Sequence, residues 1–141
     1  MTYPAGLSTE TAEITLSNPV VTPPFLGAIG TLSLSFQVNF DLQYGIHEII
    51  LDPGYNIGDT ATCRIYVEGE FSWLFSECKL TQTRIRISPG TTVPAGTKVN
   101  VVILGAATPD ENGYIIGAEI YQAQEKLFET TFLDSRNYPA L

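Results

Sequence analysis

Residues 31–40 read Thr31-Leu32-Ser33-Leu34-Ser35-Phe36-Gln37-Val38-Asn39-Phe40, and this stretch decides the fold. Apolar and polar residues alternate over all ten positions. Successive side chains of a strand point to opposite faces, so the pattern predicts a strand with one face in a core and the other in solvent. A helix would spread the same apolar residues around its whole circumference.

Other segments with strand composition follow at short intervals: residues 11–16, 46–51, 60–67, 78–87, 97–104, 114–122 and 126–133. Turn residues such as Asp52-Pro53-Gly54 and Asn112-Gly113 separate them, because Pro presets φ and Gly supplies positive φ. Residues 78–87 change apolar face near residues 81–83, which predicts a β-bulge or a bend that crosses from one sheet to the other within one strand. About seven to nine short antiparallel strands with turns between them predict an all-β sandwich.

Prolines are concentrated at both ends of the chain, and they resist regular strand pairing. We therefore expect a proline-containing N-terminal arm over residues 1–26 with one strand in it. The sandwich domain is predicted over residues 27–134, followed by a C-terminal tail over residues 135–141.

Size and charge exclude several classes of protein. A chain of 141 residues suits one domain. Its formal net charge of −8 would repel nucleic-acid phosphates and anionic lipid, so we expect no nucleic-acid partner. No apolar run approaches the ~20 residues of a membrane-spanning helix.

The two cysteines, Cys63 and Cys78, are predicted to form a structural disulfide. Residues 60–67 and 76–80 could pair as a hairpin with its tip near residues 68–71, which would place the two cysteines opposite each other. Two buried free thiols in a cytosolic protein are the alternative. Structural zinc needs four ligands, and the sequence offers two Cys and one His.

Phe71, Trp73 and Phe75 alternate along an extended segment, so their rings would share one side. One interpretation is a stacking platform for a sugar ring, with Phe71, Trp73 and Tyr66 as candidate glycan-binding residues. The alternative is that these rings fill the core.

An acidic turn contains the candidate calcium ligands Asp110, Glu111 and Asn112, because calcium prefers oxygen ligands. The spacing does not match an EF-hand loop, and a solvated turn is the alternative. No other cofactor is expected.

His47 is the only histidine, so a histidine-dependent catalytic constellation would have to include it. Its place at the start of an apolar strand is typical of an ordinary exposed strand position. No nucleophile elbow, phosphate-binding glycine loop or HExxH motif occurs. We predict a protein that is not an enzyme, with a small hydrolase built around His47 as a rival hypothesis.

The segment Thr92-Val93-Pro94-Ala95-Gly96-Thr97-Lys98-Val99-Asn100-Val101-Val102-Ile103-Leu104-Gly105 resembles a recurring module of large surface and extracellular proteins of ciliates and other protists. Residues 46–55 and the Gly113-Tyr114-Ile115-Ile116 strand start are similar to other parts of that module. The resemblance implies an immunoglobulin-like fold, an intramolecular disulfide and a role in extracellular fibres, coats or adhesion. No catalytic residues come with it.

Together these features predict a structural module of an extracellular or cell-surface assembly. Its partners would be other copies of itself, neighbouring modules or glycans. In a filament, residues 10–21 would add a strand to the sheet edge of the next copy, with contacts made by Ile14, Leu16, Val20 and Val21. A carbohydrate-binding module is the alternative function.

Overall fold

The computed structural model describes residues 12–17, 19–67, 70–71, 74–134 and 137–140. Eleven strands occur in these residues, and no described helix is long and apolar enough to cross a bilayer. The strands are β1 (Ile14–Leu16), β2 (Val20–Thr22), β3 (Ile29–Val38), β4 (His47–Asp52), β5 (Thr62–Val67), β6 (Glu70–Phe71), β7 (Phe75–Leu80), β8 (Ile85–Pro89), β9 (Val99–Ala107), β10 (Ile115–Gln122) and β11 (Glu125–Leu133).

The strands form two antiparallel sheets. The first sheet has the order β1-β3-β9-β5-β6, with β2 also paired to β3, and the second has the order β11-β10-β4-β8-β7. The predicted fold, an immunoglobulin-like antiparallel sandwich with one disulfide, is confirmed. The strand count exceeds the predicted number because the short strands β2 and β6 are added and because residues 78–87 contribute to two strands, β7 and β8.

The core lies between the sheets and is built from alternating residues. Strand β3 buries Leu32, Leu34, Phe36 and Val38 while the residues between them are partly exposed, as the sequence pattern predicts. The facing sheet supplies fully buried residues from its three central strands: Ile49, Leu51, Ile85, Ile87, Ile116 and Ile120. Burying one such side chain contributes about 1.5–3 kcal/mol, so this interface dominates the favourable energy of folding.

The predicted strand over residues 78–87 is instead a hairpin. Strands β7 and β8 pair with each other, and the chain reverses between Leu80 and Ile85. Thr81 closes the reversal, because its N–H donates to the Arg84 carbonyl at 2.9 Å and its hydroxyl accepts the Arg84 N–H at 3.1 Å. The change of apolar face near residues 81–83 therefore marks a turn without Gly or Pro, and the predicted bulge or sheet-crossing bend was wrong.

The disulfide is present, but the predicted hairpin around it was wrong. Cys63 lies on β5 in the first sheet and Cys78 lies on β7 in the second, with 6.1 Å between their Cα atoms. Strand β5 pairs with β6 and β9, so Cys63 faces Cys78 across the sandwich rather than along a two-stranded ladder. The bond therefore ties one sheet to the other.

The sandwich includes chain that the sequence assigned to an arm and a tail. Strands β1 and β2 both pair with β3, so the first sheet begins at Ile14 rather than at residue 27. The prolines of this region do not prevent the pairing, because they lie outside these three-residue strands. Tyr138 of the tail is buried in the core.

Removing the disulfide should weaken the fold without changing it. Replacing Cys63 and Cys78 together with Ser releases a closed loop of 15 residues, and we expect a loss of roughly 3 kcal/mol in the free energy of unfolding. Urea denaturation of the oxidised and doubly substituted chains measures the difference. An unchanged midpoint would mean that the sheets need no covalent tie.

Candidate functional site

A buried polar cluster lies at one end of the sandwich, where β10 begins and β11 ends. Asp134 is only 1 % exposed, and the Tyr114 hydroxyl donates a hydrogen bond of 2.5 Å to its Oδ2 atom. The Tyr55 ring meets the Tyr114 ring edge-on, with 5.1 Å between centroids. A buried carboxylate is costly unless it is hydrogen-bonded, so the Tyr114 hydroxyl offsets part of that cost.

The C-terminal tail closes over this cluster. The Asn112 side chain makes two hydrogen bonds to the Tyr138 backbone. Its Oδ1 accepts the Tyr138 N–H at 2.8 Å, and its Nδ2 donates to the Tyr138 carbonyl at 3.2 Å. The Pro139 carbonyl accepts the Leu26 N–H at 2.9 Å. The tail is thus fastened to two distant parts of the chain, which sequence reasoning missed because these contacts are not local.

The electrostatics of the cluster favour neutral tyrosines. Burial raises the pKa of Tyr114 above its ordinary value, and the hydrogen bond to Asp134 raises it further. Burial also raises the pKa of Tyr55. Both phenols therefore stay protonated, and the Tyr114 hydroxyl keeps its hydrogen bond to Asp134, which is a structural role.

His47 does not occupy the exposed position that the sequence predicted. The side chain is 8 % exposed and its ring meets Phe40 edge-on at a centroid distance of 5.0 Å. Its Nδ1 accepts the Gln43 N–H at 2.9 Å, and its Nε2 lies 3.1 Å from Gln122 Oε1. Because Nδ1 is an acceptor, Nε2 carries the proton and donates to Gln122. The two ring nitrogens therefore join the loop before β4 to the end of β10.

The structure divides the predicted aromatic stripe between the two sheets. Phe71 belongs to β6, opposite Tyr66 of β5, whereas Phe75 starts β7 and packs half-buried against the core. Trp73 lies outside the described residues. Phe71 and Phe75 therefore belong to strands of different sheets, and the glycan-binding role stays a prediction.

One of the three candidate calcium ligands, Asn112, is engaged by the C-terminal tail. Asp110 and Glu111 are exposed, while Asn112 binds the backbone of the tail. In the part of the chain that the structure describes, no group of three or more His, Cys, Asp or Glu side chains could hold a metal ion. Calcium binding stays a prediction.

The four candidate partner-binding residues contact their own chain. Ile14 and Val21 are buried in the core, and Leu16 packs against it. Val20 is 57 % exposed and lies opposite Ser33 of β3. Their use between copies stays a prediction.

The outer faces of the two sheets differ in chemistry. On the first sheet, Ser33 and Ser35 donate to Asn100 Oδ1 at 2.7 and 3.2 Å. On the second sheet, Glu119 pairs with Arg84 at 3.3 Å and with Lys126 at 3.2 Å. Such surface ion pairs contribute about 0–1 kcal/mol each to the free energy of unfolding. They therefore set the charge pattern of the outer face more than they stabilise the fold.

No protein-family model and no curated protein matches this sequence. Solved structures match its fold. A DUF4466 family protein from Parabacteroides merdae aligns with a TM-score of 0.55 at 8 % identity, over 92 % of this chain and 44 % of that one. The chain thus spans less than half of that protein, and this alignment supports the sandwich fold.

Two further structures give lower scores. BslA, a bacterial hydrophobin, aligns with a TM-score of 0.49 at 11 % identity, over 89 % of this chain and 100 % of that one. The keratin 4 binding domain of the surface adhesin Srr-1 of S. agalactiae aligns with a TM-score of 0.46 at 12 % identity, over 90 % and 85 %. The resemblance to protist surface modules stays a prediction.

The tyrosine cluster predicts a loss of stability at alkaline pH. The folded chain holds the Tyr114 proton more tightly than the unfolded chain, because its pKa is raised on folding. The stabilisation is complete below pH 10, the ordinary tyrosine value, and is lost as pH rises above it. We expect Tyr114 to contribute a fall of about 1.4 kcal/mol per pH unit there.

Urea denaturation between pH 8 and 11 measures this fall. In Tyr114→Phe the chain should be less stable at pH 8, since Asp134 loses the hydrogen bond from the Tyr114 hydroxyl, and the decline above pH 10 should be shallower. Tyr44→Phe, at an exposed tyrosine, is the matched control. Equal slopes in all three chains would contradict the assignment.

Proposed function

We propose that this chain is a non-catalytic structural or binding module of an extracellular assembly such as a filament, a coat or an adhesion protein. The observation that carries the proposal is the Cys63–Cys78 bond between the two sheets. Structural disulfides form and persist in oxidising compartments, which favours an extracellular or cell-surface location. A covalently tied sandwich also suits a part that must hold its shape under load.

The environment of His47 supports a role without catalysis. A catalytic histidine needs one ring nitrogen available to a nucleophile or a substrate. Here Nδ1 accepts a backbone N–H and Nε2 meets Gln122, and the side chain is buried. The hydrolase hypothesis therefore loses the residue on which it was built.

Assembly by strand addition can use contacts that already exist within the chain. Strands β1 and β2 each make three residue pairs with β3, and Ile14 and Val21 fill core positions. The same pairs would form if the segment docked on β3 of a neighbouring copy, and such exchange of identical elements costs little. We therefore propose that residues 14–22 swap between copies in the assembled state.

Cysteine cross-linking tests this exchange. We expect a chain carrying Val20→Cys and a chain carrying Ser33→Cys, mixed and oxidised after assembly, to form a covalent heterodimer, because Val20 and Ser33 are opposed on β2 and β3. The double variant Val20→Cys/Ser33→Cys should cross-link within one chain and block assembly. Non-reducing gels, mass spectrometry and electron microscopy give the readouts.

Glu111→Cys mixed with Ser33→Cys is the matched control, since Glu111 lies in an exposed turn outside this pairing. Assemblies that persist when the double variant is locked within its chain would rule out the exchange. A chain that stays monomeric at all concentrations would count against the structural module itself.

Carbohydrate binding is a second candidate because of the outer face of the first sheet. Ser35, Asn100 and Tyr66 are paired in one row across β3, β9 and β5. Hydroxyl and amide groups beside an aromatic ring are the chemistry that recognises sugars. The row is continued by Phe71 opposite Tyr66.

We expect Tyr66→Ala and Trp73→Ala each to lower binding on a neutral glycan array if this candidate holds. The matched control is Tyr44→Ala, because Tyr44 is exposed and does not belong to this row. Binding that survives both substitutions, or no binding by the native chain, would remove the candidate.

A further inference from the structure

A cleft opens on the second sheet where the β10–β11 turn meets the loop before β4. Its lining includes six residues with polar or aromatic side chains that could contact a ligand: Tyr44, Glu48, Glu77, Ser88, Tyr121 and Gln124. Register places Tyr121 opposite Glu48 and Glu77 opposite Ser88, so these side chains form one row across the sheet. We call this site the tyrosine–carboxylate cleft.

The loop that carries Tyr44 is held firmly. The Gln43 carbonyl accepts N–H groups from Ile46 at 3.2 Å and His47 at 3.1 Å, and the Gln43 N–H donates to the His47 ring. The Ile46 carbonyl accepts the Ala123 N–H at 3.0 Å, which joins the loop to the β10–β11 turn. A fixed loop presents an aromatic side chain to a ligand at little cost in entropy.

Tyr44 is nevertheless 67 % exposed on this loop. Among the described residues, no contact explains why a fixed loop should present a large aromatic ring to solvent. The neighbouring Ile46 is also 42 % exposed, which extends the apolar wall of the cleft.

The charge of the cleft is negative. Glu48 and Glu77 are its two carboxylates, and no Lys or Arg lines it. Glu48 Oε2 lies 3.4 Å from Arg86 Nε in a surface ion pair whose Arg86 side chain is 52 % exposed. Such a pair is weak, so Glu48 remains able to bind another cation. The net charge of −8 adds a field that attracts positive ligands.

We propose that the tyrosine–carboxylate cleft binds a Lys or Arg side chain from a basic segment of a protein partner. The tyrosine ring faces attract a cation, and the carboxylates accept its N–H groups. The apolar walls suit the methylene stem of such a side chain. This inference rests on the proposed function, because it names the partner chemistry of a binding module.

A defined probe tests the cleft directly. The blocked peptide (Lys-Gly-Ser)4 is titrated into the 15N-labelled chain, with calorimetry for affinity and amide shifts for location. We expect saturable shifts at Gly45, Glu48 and Gln124, and weaker binding as sodium chloride rises from 50 to 300 mM. The peptides (Gln-Gly-Ser)4 and (Glu-Gly-Ser)4 should not bind.

Two substitutions at exposed positions distinguish binding in the cleft from attraction by the negative net charge of the chain. Tyr44→Ala should weaken binding by about two- to five-fold, the size of an exposed cation–π contact. Glu77→Gln should also weaken binding. Glu111→Gln removes the same charge from a distant exposed turn and is the matched control. It should leave the affinity within about two-fold, since exposed charges beyond a Debye length are screened. Circular dichroism confirms that each variant is folded.

Three results would overturn the inference: no binding of the lysine peptide, equal binding of the glutamine peptide, or equal weakening by Glu77→Gln and Glu111→Gln. The outcome is separate from the assembly experiment. If β2–β3 cross-links form between copies but the peptide does not bind, the module survives and the cleft assignment fails. If the peptide binds and no assembly forms, the cleft assignment survives.

Discussion

The contact between the apolar faces of the two sheets is the constraint on which the rest of the structure depends. Every second residue of β3 enters this interface, where it meets the isoleucines of β4, β8 and β10. Strands that bury one face in this way must keep their register, because a slip of one residue would turn the apolar set to solvent. The outer faces, the loops and the tail are all positioned by this interface.

Three ties secure parts of the fold that the core does not hold by itself. The disulfide joins β5 to β7 at one side of the sandwich. Asn112 fastens the C-terminal tail at one end, beside the hydrogen bond between Tyr114 and Asp134, and His47 fastens the loop before β4 to Gln122. The buried Asp134 carboxylate, Tyr114 hydroxyl and His47 ring are hydrogen-bonded, as burial requires. The tie at His47 is also what presents Tyr44 to a ligand, so stability and recognition share the same residue.

Local patterns predicted most of the strands because alternation and turn chemistry are local properties. The segment 31–40, the strands beginning near residues 46, 97, 114 and 126, and the presence of a disulfide were predicted correctly. The placing of the two cysteines in different sheets, the hairpin at Thr81 and the burial of His47 were not. Each of these depends on which strands become neighbours, and residues such as Cys63 and Cys78 give no sign of lying in different sheets.

The sequence by itself determined that this protein is an all-β sandwich, because period-two burial leaves no other arrangement for its apolar residues. Only the tertiary structure decided how the sheets are assembled and where a ligand could bind. Tyr44 and Glu77 are 33 positions apart in the sequence, and the sandwich brings them to one cleft. Strand pairing between distant segments is set by the packing of the whole core, so no local pattern can specify such a site.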